Sequence, residues 1–266
     1  MTEHSLTARA LTLGYDGDPI VDGLDVSIPS GKITVIVGAN ACGKSTLLRG
    51  LARLLAPRGG VVELDGRDIH SYQSKQLACF VGLLPQQPVA PAGITVADLV
   101  GRGRYPHQGW FRQASSTDDA AVAHALEVTS TDSIAGRRVE ELSGGQRQRV
   151  WIAMALAQEP DILLLDEPTT FLDVTHQVEV LDLLMHLNQT RGTTIVMVLH
   201  DLNLAARYAD HLVVMADGAI VREGSPDSVI NPETVREAFG LESLVMEDPV
   251  CGSPMVVPIG RFHALG

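Results

Sequence analysis

One glycine-rich segment of the chain matches a phosphate-binding pattern. It reads Gly38-Ala39-Asn40-Ala41-Cys42-Gly43-Lys44-Ser45-Thr46, which satisfies Gly-x-x-x-x-Gly-Lys-Ser/Thr. An apolar, β-branched run precedes the segment and a helical pattern follows it, which is the context that this motif requires. Backbone N–H groups at the positive end of that helix would surround a β-phosphate. Lys44 would reach the β- and γ-phosphates, and Ser45 would place its hydroxyl on Mg²⁺. A chance match is the alternative.

Two carboxylates stand directly after a second apolar run. Ile162–Leu165 is followed by Asp166 and Glu167. Such a strand would deliver Asp166 to the metal and leave Glu167 free to orient and deprotonate a water for in-line attack on a γ-phosphate. An ordinary acidic boundary between strand and loop is the alternative. The phosphate-binding pattern upstream favours the catalytic interpretation.

A third segment offers another anion site. It reads Leu142-Ser143-Gly144-Gly145-Gln146 and opens a helical pattern. A serine and two glycines there present a hydroxyl and backbone N–H groups to an anion, although the same residues could form a simple helix cap. Two phosphate sites on one chain raise the question of how many nucleotides are bound and which chains share them.

Composition limits the classes of protein to consider. The 266 residues are 45% hydrophobic, enough for one large domain or a core with an inserted subdomain. A formal net charge of -12 argues against wholesale nucleic-acid binding. Three cysteines form no even, closely spaced framework, which favours a reducing cytosolic compartment. We find neither a signal peptide nor an apolar run long enough to span a membrane, so membrane association is expected only through a partner.

The order of apolar runs predicts an α/β fold. Leu6–Leu13 and Leu24–Ile28 alternate and predict an antiparallel pair. Further runs predict strands that alternate with helices, as in a parallel sheet flanked by helices: Ile33–Val37, Ile162–Asp166, Thr193–Leu199 and Leu212–Met215, with helices at Lys44–Leu55, Val174–Asn188 and Leu202–Ala209. Residues 87–158 interrupt this rhythm and predict an inserted helical subdomain. From residue 225 onward we expect a small appendage with a helix at Pro232–Phe239.

These motifs together resemble those of the ATP-binding cassette (ABC) superfamily. Leu142–Gln146 is similar to the family's signature sequence, and four further residues match family positions in order. The resemblance implies that Tyr15 stacks on adenine and that Gln86 contacts Mg²⁺ and links the core to the helical subdomain. It also implies that Asp173 makes a dimer contact and that His200 contacts the γ-phosphate.

The implied fold is an α/β P-loop NTPase (RecA-like) core with an N-terminal antiparallel β-subdomain and an inserted helical signalling subdomain. Residues 1–266 would form a single ABC ATPase domain. Within it, residues 1–86 and 159–224 would form the core with its β-subdomain, 87–158 the helical subdomain and 225–266 the C-terminal appendage.

The chain departs from the family pattern in two places. Ala39 and Ala41 replace the proline and second glycine of the usual Gly-Pro-Asn-Gly, so Ala41 must avoid a positive φ or accept strain. Phe171 stands where a small residue is more usual, next to the dimer-contact Asp173. Neither change removes a phosphate or metal ligand.

Several segments resemble one subfamily, the ATPase subunits of bacterial ferric siderophore importers, with haem and cobalamin importers as close relatives. These segments are Gly103–His107 with the nearby Trp110 and Phe111, Trp151–Gln158, Thr169–Asp173 and Asp248–Pro254. The subfamily implies ATP and Mg²⁺ as cofactors and a homodimer in which Ser143 and Gly145 of one subunit bind the γ-phosphate held by the other. It also implies two membrane-spanning permease subunits, an extracytoplasmic substrate-binding protein reached indirectly, and a peripheral location on the cytoplasmic face of the membrane.

Two other classes remain as alternatives. A non-transport member of the superfamily would usually carry tandem cassettes or long coiled-coil insertions, and the chain has one cassette and no heptad run. A nucleotide-binding regulator without turnover is disfavoured by Glu167 and His200.

Between Gln86 and Gln113 lies a basic stretch of Arg102, Arg104 and Arg112. We hypothesise that this stretch docks a membrane subunit; a solvated face or contact with lipid headgroups is the alternative.

Overall fold

The computed structural model describes residues 4–108 and 115–260, which form two compact units. The first unit is built from the two ends of the chain, up to Ile69 and from Thr194 onward, and the second is His70–Thr193. Among the described residues, no helix is long and apolar enough to cross a membrane.

Twelve strands and nine α-helices lie within the described ranges. The strands are β1 Leu6–Leu13, β2 Val21–Ile28, β3 Ile33–Gly38, β4 Gly59–Leu64, β5 Arg67–Asp68, β6 Val81–Leu84, β7 Ile162–Leu165, β8 Thr194–Val198, β9 His211–Ala216, β10 Ala219–Gly224, β11 Ser243–Glu247 and β12 Pro254–Pro258. The α-helices are α1 Lys44–Leu51, α2 Ser74–Phe80, α3 Val96–Gly101, α4 Ser116–Val128, α5 Gly144–Ala157, α6 Val174–Arg191, α7 Leu202–Tyr208, α8 Pro226–Val229 and α9 Pro232–Phe239. A 3₁₀ segment at Arg102–His107 follows α3.

The first unit contains an antiparallel sheet and a set of parallel strands. The antiparallel sheet has the order β2-β1-β4-β5. The parallel strands are β8, β3 and β9, with β10 added antiparallel to β9. Every residue of β3 is buried, as its unbroken apolar sequence predicts for a strand covered on both faces. The predicted pairing of Leu6–Leu13 with a strand ending at Ile28 is present, and β4 and β5 extend that sheet.

The second unit pairs two short parallel strands and surrounds them with helices. β6 and β7 pair from Val81 with Ile162 to Leu84 with Leu165, and both strands are largely buried. The described residues between 87 and 158 form helices and turns, with one isolated bridge between Thr95 and Arg138. A separate helical subdomain with the bounds 87–158 stays a prediction, since the compact unit that contains this stretch is His70–Thr193.

The C-terminal part of the first unit is a helix pair followed by a β-hairpin. Asn231 caps α9 by accepting from the Thr234 N–H, and Pro232 occupies the first helical turn, so the helix begins where the sequence predicts. The hairpin of β11 and β12 was not predicted. It is held against α7 by a 2.6 Å ion pair between Arg207 and Asp248. That guanidinium, together with the Val250 N–H, lowers the pKa of Asp248 to about 2.

Candidate nucleotide-binding and hydrolysis site

The phosphate loop connects β3 to α1 through two glycines with positive φ. Gly38 has φ 156° and lies so close to the Met215 carbonyl that a Cβ there would overlap it, whereas Gly43 has φ 102° directly before α1. Lys44 is buried, and its Nζ donates to the carbonyl oxygens of Gly38 at 2.9 Å and Ala39 at 2.8 Å. Lys44 therefore bridges two carbonyl groups of the phosphate loop, and its ammonium lies beside the backbone that would face a phosphate.

The loop residue Ala41 adopts the left-handed conformation that its family position favours for glycine. Its φ is 64°, so the chain accepts backbone strain rather than avoiding a positive φ. Beside it, Asn40 is exposed and Cys42 is buried, with the Cys42 carbonyl accepting from the Gly218 N–H at 3.1 Å. Ala41 is therefore strained and exposed, whereas the next residue, Cys42, is buried and held by a backbone hydrogen bond.

The first turn of α1 carries the remaining residues of the motif. Ser45 is half-buried and Thr46 is buried, and Gly43 accepts from the Leu47 N–H at 2.8 Å. The helix therefore starts inside the motif, as the sequence predicts, and directs its N-terminal N–H groups towards the loop.

Two more candidate residues, Tyr15 and His200, belong to the first unit. Tyr15 is 46% exposed, and its hydroxyl accepts from the Arg49 guanidinium on α1 at 2.8 Å. His200 is exposed and follows Leu199, whose N–H donates to the Ile36 carbonyl at 3.2 Å. Since β3 and β8 are parallel neighbours, His200 leaves the sheet at the same edge as the phosphate loop.

The second unit brings Asp166, Glu167 and Gln86 together at the carboxyl ends of β6 and β7. Asp166 is 3% exposed, and its N–H donates to the Leu84 carbonyl at 2.9 Å. Gln86 Nε2 donates to Glu167 Oε2 at 2.5 Å. The Thr170 hydroxyl donates to the same oxygen at 2.9 Å. Two donors therefore hold one carboxylate oxygen of the predicted base.

The signature segment forms the start of α5. Ser143 Oγ accepts from the Gln146 N–H at 3.3 Å, and Gln146 Oε1 accepts from the Ser143 N–H at 3.2 Å, which is a capping box. Ser143 and Gly144 are exposed, whereas Gly145 is buried against the ring of His176. The helix start thus presents its first residues to solvent, where an anion could approach them.

Asp173 caps the neighbouring helix α6. Its carboxylate accepts from the His176 N–H at 2.9 Å and contacts His176 Nδ1 at 2.8 Å. These two hydrogen bonds, the backbone one first, lower the pKa of Asp173 below its ordinary value. Beside Asp173, Phe171 has φ 65° and is 85% exposed, so the unusual aromatic projects into solvent.

Sequence reasoning missed Thr170 and His176. Each stands three positions after a predicted functional carboxylate, Glu167 and Asp173 respectively. A side chain three positions after a carboxylate at the start of a turn or helix can hydrogen-bond back to that carboxylate. The spacing was therefore the signal that could have found them.

The basic docking hypothesis is wrong for Arg104. Arg104 is 5% exposed, and it donates to Asp118 at 2.9 Å, to Glu159 at 2.7 Å and to the Ala157 carbonyl at 2.8 Å. A guanidinium so enclosed holds the end of α5 and cannot meet a partner. Gly103 must lack a side chain here, because a Cβ would overlap the Met154 carbonyl. Trp110, Phe111 and Arg112, which belong to the same predicted features, lie outside the described residues.

The donor chemistry of the predicted metal ligands fits Mg²⁺. Ser45, Gln86 and Asp166 offer a hydroxyl, an amide oxygen and a carboxylate, all hard oxygen donors. In the part of the chain that the structure describes, no group of three His, Cys, Asp or Glu residues could hold a metal by itself. A sparse oxygen set of this kind suits an ion that keeps waters and shares phosphate ligands.

Comparison with known proteins decides the family. The family model described as ABC transporter matches residues 21–170. The chain belongs to the ABC transporter family. It is therefore an ABC-type ATPase that uses ATP, and its α/β fold with a P-loop NTPase core and an antiparallel β-subdomain is confirmed.

Individual ABC proteins match nearly the whole chain. The achromobactin transport ATP-binding protein of Dickeya dadantii is 52% identical, over 97% of this chain and 96% of its own length. The ferric enterobactin transport ATP-binding protein of Escherichia coli is 50% identical, over 96% and 94%.

Solved ABC structures share the fold. An inward-facing metal-chelate-type ABC transporter superposes with a TM-score of 0.84 at 29% identity, over 98% of this chain and 99% of the other. A dimeric bacterial ABC transporter cassette gives a TM-score of 0.74 at 27% identity, over 83% and 98%.

Proposed function

We propose that this ABC protein is the ATP-hydrolysing subunit of a bacterial importer that takes up a ferric siderophore. The observation that carries the hydrolytic part is the pairing of Gln86 with Glu167 at the ends of two parallel strands. The cargo is inferred from two relatives of at least 50% identity, whose names assign them to achromobactin and ferric enterobactin transport.

The phosphate loop binds the nucleotide in this proposal. Lys44 exchanges its two carbonyl partners for the β- and γ-phosphate oxygens, while the N–H groups at the start of α1 donate to phosphate. Tyr15 stacks on the adenine and His200 contacts the γ-phosphate, as the family resemblance implies. Ser45, Gln86 and Asp166 would hold Mg²⁺, which would neutralise phosphate charge.

Glu167 acts as the general base. Its carboxylate accepts the proton of a water, the water oxygen forms a bond to the γ-phosphorus, and the bond to the β-phosphate oxygen breaks to release ADP. Gln86 and Thr170 both donate to Oε2, so the carboxylate plane is oriented before the water arrives. Gln86 and Thr170 thus contribute by orienting the carboxylate of Glu167.

Each chain carries two incomplete halves of an ATP site. Ser143, Gly144, Gly145 and Gln146 of one subunit close on ATP bound by the other, and Asp173 contributes to the same dimer contact. A similar cassette is known as a dimer, which supports this arrangement. ATP binding favours the closed dimer, and loss of the γ-phosphate releases it.

The dimer drives transport through other proteins. Two membrane-spanning permease subunits convert closing and opening into movement of the cargo, which an extracytoplasmic binding protein delivers. The ATPase then lies on the cytoplasmic face of the membrane without crossing it.

A reconstituted transporter tests both parts of this proposal. The chain would be purified with its membrane subunits and binding protein, placed in proteoliposomes with internal MgATP, and supplied with radiolabelled ferric siderophores, haem or cobalamin. We expect uptake of a ferric siderophore that Glu167→Gln abolishes. Uptake of cobalamin or haem alone would overturn the assignment of a ferric siderophore as the cargo. Iron uptake undiminished by Glu167→Gln would overturn the catalytic assignment.

A further inference from the structure

The second unit contains a contact between the signature helix and α6 that the reaction described above does not use. Gly145, in the first turn of α5, is buried, and a Cβ there would overlap Cδ2 of His176 and lie 2.8 Å from Cγ and 2.9 Å from Nε2. Real Cβ atoms do not approach other heavy atoms this closely, so the imidazole occupies the space that a side chain at position 145 would need. The His176 ring can therefore pack here only because residue 145 has no side chain.

The same imidazole is tied to Asp173. Nδ1 of His176 lies 2.8 Å from Oδ1 of Asp173, and the His176 N–H donates to that oxygen at 2.9 Å. The hydrogen bonds keep Asp173 ionised, and an ionised carboxylate only accepts, so the proton on Nδ1 belongs to the imidazole. One ring thus bonds to Asp173 through one nitrogen and packs on Gly145 with its opposite edge.

Neighbouring contacts hold the two elements that this ring joins. Gln177 Nε2 donates to the Leu172 carbonyl at 3.0 Å, which fixes the backbone just before Asp173. Arg149 on α5 lies 3.7 Å from Glu179 on α6, one turn further along both helices. The ring is therefore a link between two elements that are already aligned.

We propose that His176 is a positioning residue that holds the Ser143–Gln146 segment and Asp173 in one fixed relation within a subunit. This inference rests on the proposed dimer, because both segments are assigned to the contact with the second subunit. A subunit that presents them at a fixed spacing loses less conformational entropy on dimerisation than one whose two segments move separately. His176 touches neither the nucleotide nor the reacting atoms in this proposal.

Two substitutions separate the polar link from simple packing. His176→Asn keeps an N–H donor near the position of Nδ1, and His176→Leu fills space without any donor. Both would be placed in the Glu167→Gln background, and ATP-driven dimerisation would be followed by analytical ultracentrifugation alongside ATP binding at low protein concentration. For Leu we expect about fivefold to tenfold weaker dimerisation, the size of one typical lost hydrogen bond, with unchanged ATP binding by the monomer. Asn should recover only the part of the loss that comes from the hydrogen bond to Asp173, because it lacks the ring edge that meets Gly145.

Equal losses for Asn and Leu, or a parallel loss of ATP binding by the monomer, would overturn the positioning role. In wild-type Glu167 protein, the Leu change should lower kcat at dilute enzyme and recover it at high enzyme concentration, with little change in the KM for ATP. A purely structural defect would not be rescued by concentration.

A second measurement is independent of dimerisation and so survives failure of the proposed function. Unfolding in urea without nucleotide would be compared for Gly145→Ala, His176→Asn and the double variant. Since Asn lacks the ring edge that meets Gly145, we expect the two changes to be coupled by about fivefold or more in the unfolding equilibrium constant. Additivity within about twofold would show that the ring does not set the space at Gly145, and would refute the link itself.

Discussion

Gln86 and Glu167 are joined by a hydrogen bond from Nε2 to Oε2 although 81 positions of sequence separate them. The bond is possible because each residue follows one of two parallel strands, β6 and β7, whose carboxyl ends lie side by side. The predicted water-activating carboxylate is therefore oriented by a residue from another segment of the chain.

Replacing Glu167 with Gln tests its role as base. Gln cannot accept a proton from water, so we expect ATPase turnover to fall about 100-fold or more while ATP binding remains. The variant should also accumulate as an ATP-bound dimer by size-exclusion chromatography. Glu127→Gln, an exposed change on α4, is the control and should hydrolyse ATP normally. Wild-type turnover by Glu167→Gln would remove this residue from catalysis.

Replacing Thr170 with Val removes one of the two donors to Glu167 Oε2. We expect kcat to fall about threefold to tenfold with the KM for ATP little changed, because one hydrogen bond that orients the carboxylate is lost. Steady-state ATPase kinetics provide the measurement. Thr170→Ser keeps the hydroxyl and should stay close to wild type; an equal defect in the serine variant would point to lost methyl packing instead.

The buried cluster around Arg104 predicts a stability effect. Arg104→Ala leaves Asp118 without its guanidinium partner in a site that is 7% exposed, and the expected loss is about 3 kcal/mol of unfolding free energy. Arg102→Ala, two residues earlier and exposed, should change stability by less than about 0.5 kcal/mol. Urea denaturation compares the pair, and equal effects would contradict the structural role assigned to Arg104.

Acid should destabilise the fold through Asp118. Hydrogen bonds from the Ser115 N–H, the Arg104 guanidinium and the Ser115 hydroxyl lower its pKa from 3.8 to about 2. The unfolded chain therefore binds a proton at higher pH than the native one, so this stabilisation is complete well above pH 3.8 and is lost as the pH falls from there towards about 2. Asp118→Asn should be less stable at neutral pH and lose less stability on acidification. An unchanged slope of unfolding free energy against pH between those values would refute the assignment.

The left-handed Ala41 predicts a stabilising substitution. Ala41→Gly relieves a φ of 64° and should raise the unfolding free energy of the nucleotide-free protein by about 1 kcal/mol. Ala120→Gly on the exposed face of α4 is the matched control, and it should cost about 1 kcal/mol because its backbone is helical. If both changes destabilise the protein equally, the strain at Ala41 is absent.

The sequence predicted best those elements whose pattern is local. The run Ile33–Val37 and the motif after it predicted both the strand and the start of α1 at Lys44, since the glycines and the apolar run are contiguous. The helix end was less certain: α1 was expected to reach Leu55 but ends at Leu51. Arg53 adopts φ 58°, which a helix cannot accommodate, and no glycine marks that position.

Elements that depend on distant partners were harder to predict. β4 begins with two glycines and has no strict alternation, and it is a strand because it pairs with β1. The C-terminal hairpin is likewise held by the ion pair of Arg207 with Asp248, 41 positions apart. Within the site, residue types and order identified the chemistry, but the burial of Arg104 and the contact of His176 with Gly145 depend on packing that no single segment reveals.

One further consequence concerns the far end of the signature helix. Gln158, just beyond α5, donates to the carbonyl oxygens of Ala78 and Val81, and so fastens the helix where β6 begins. The other end of β6 leads to Gln86 and Glu167, and the segment after Glu167 returns through His176 to Gly145. Within the second unit, contacts thus run from the end of α5 to β6, from β6 through Gln86 to Glu167, and through His176 back to the start of α5. In the proposed dimer, this same series of contacts connects the carboxylate of Glu167 to the Ser143–Gln146 segment that would meet the second subunit.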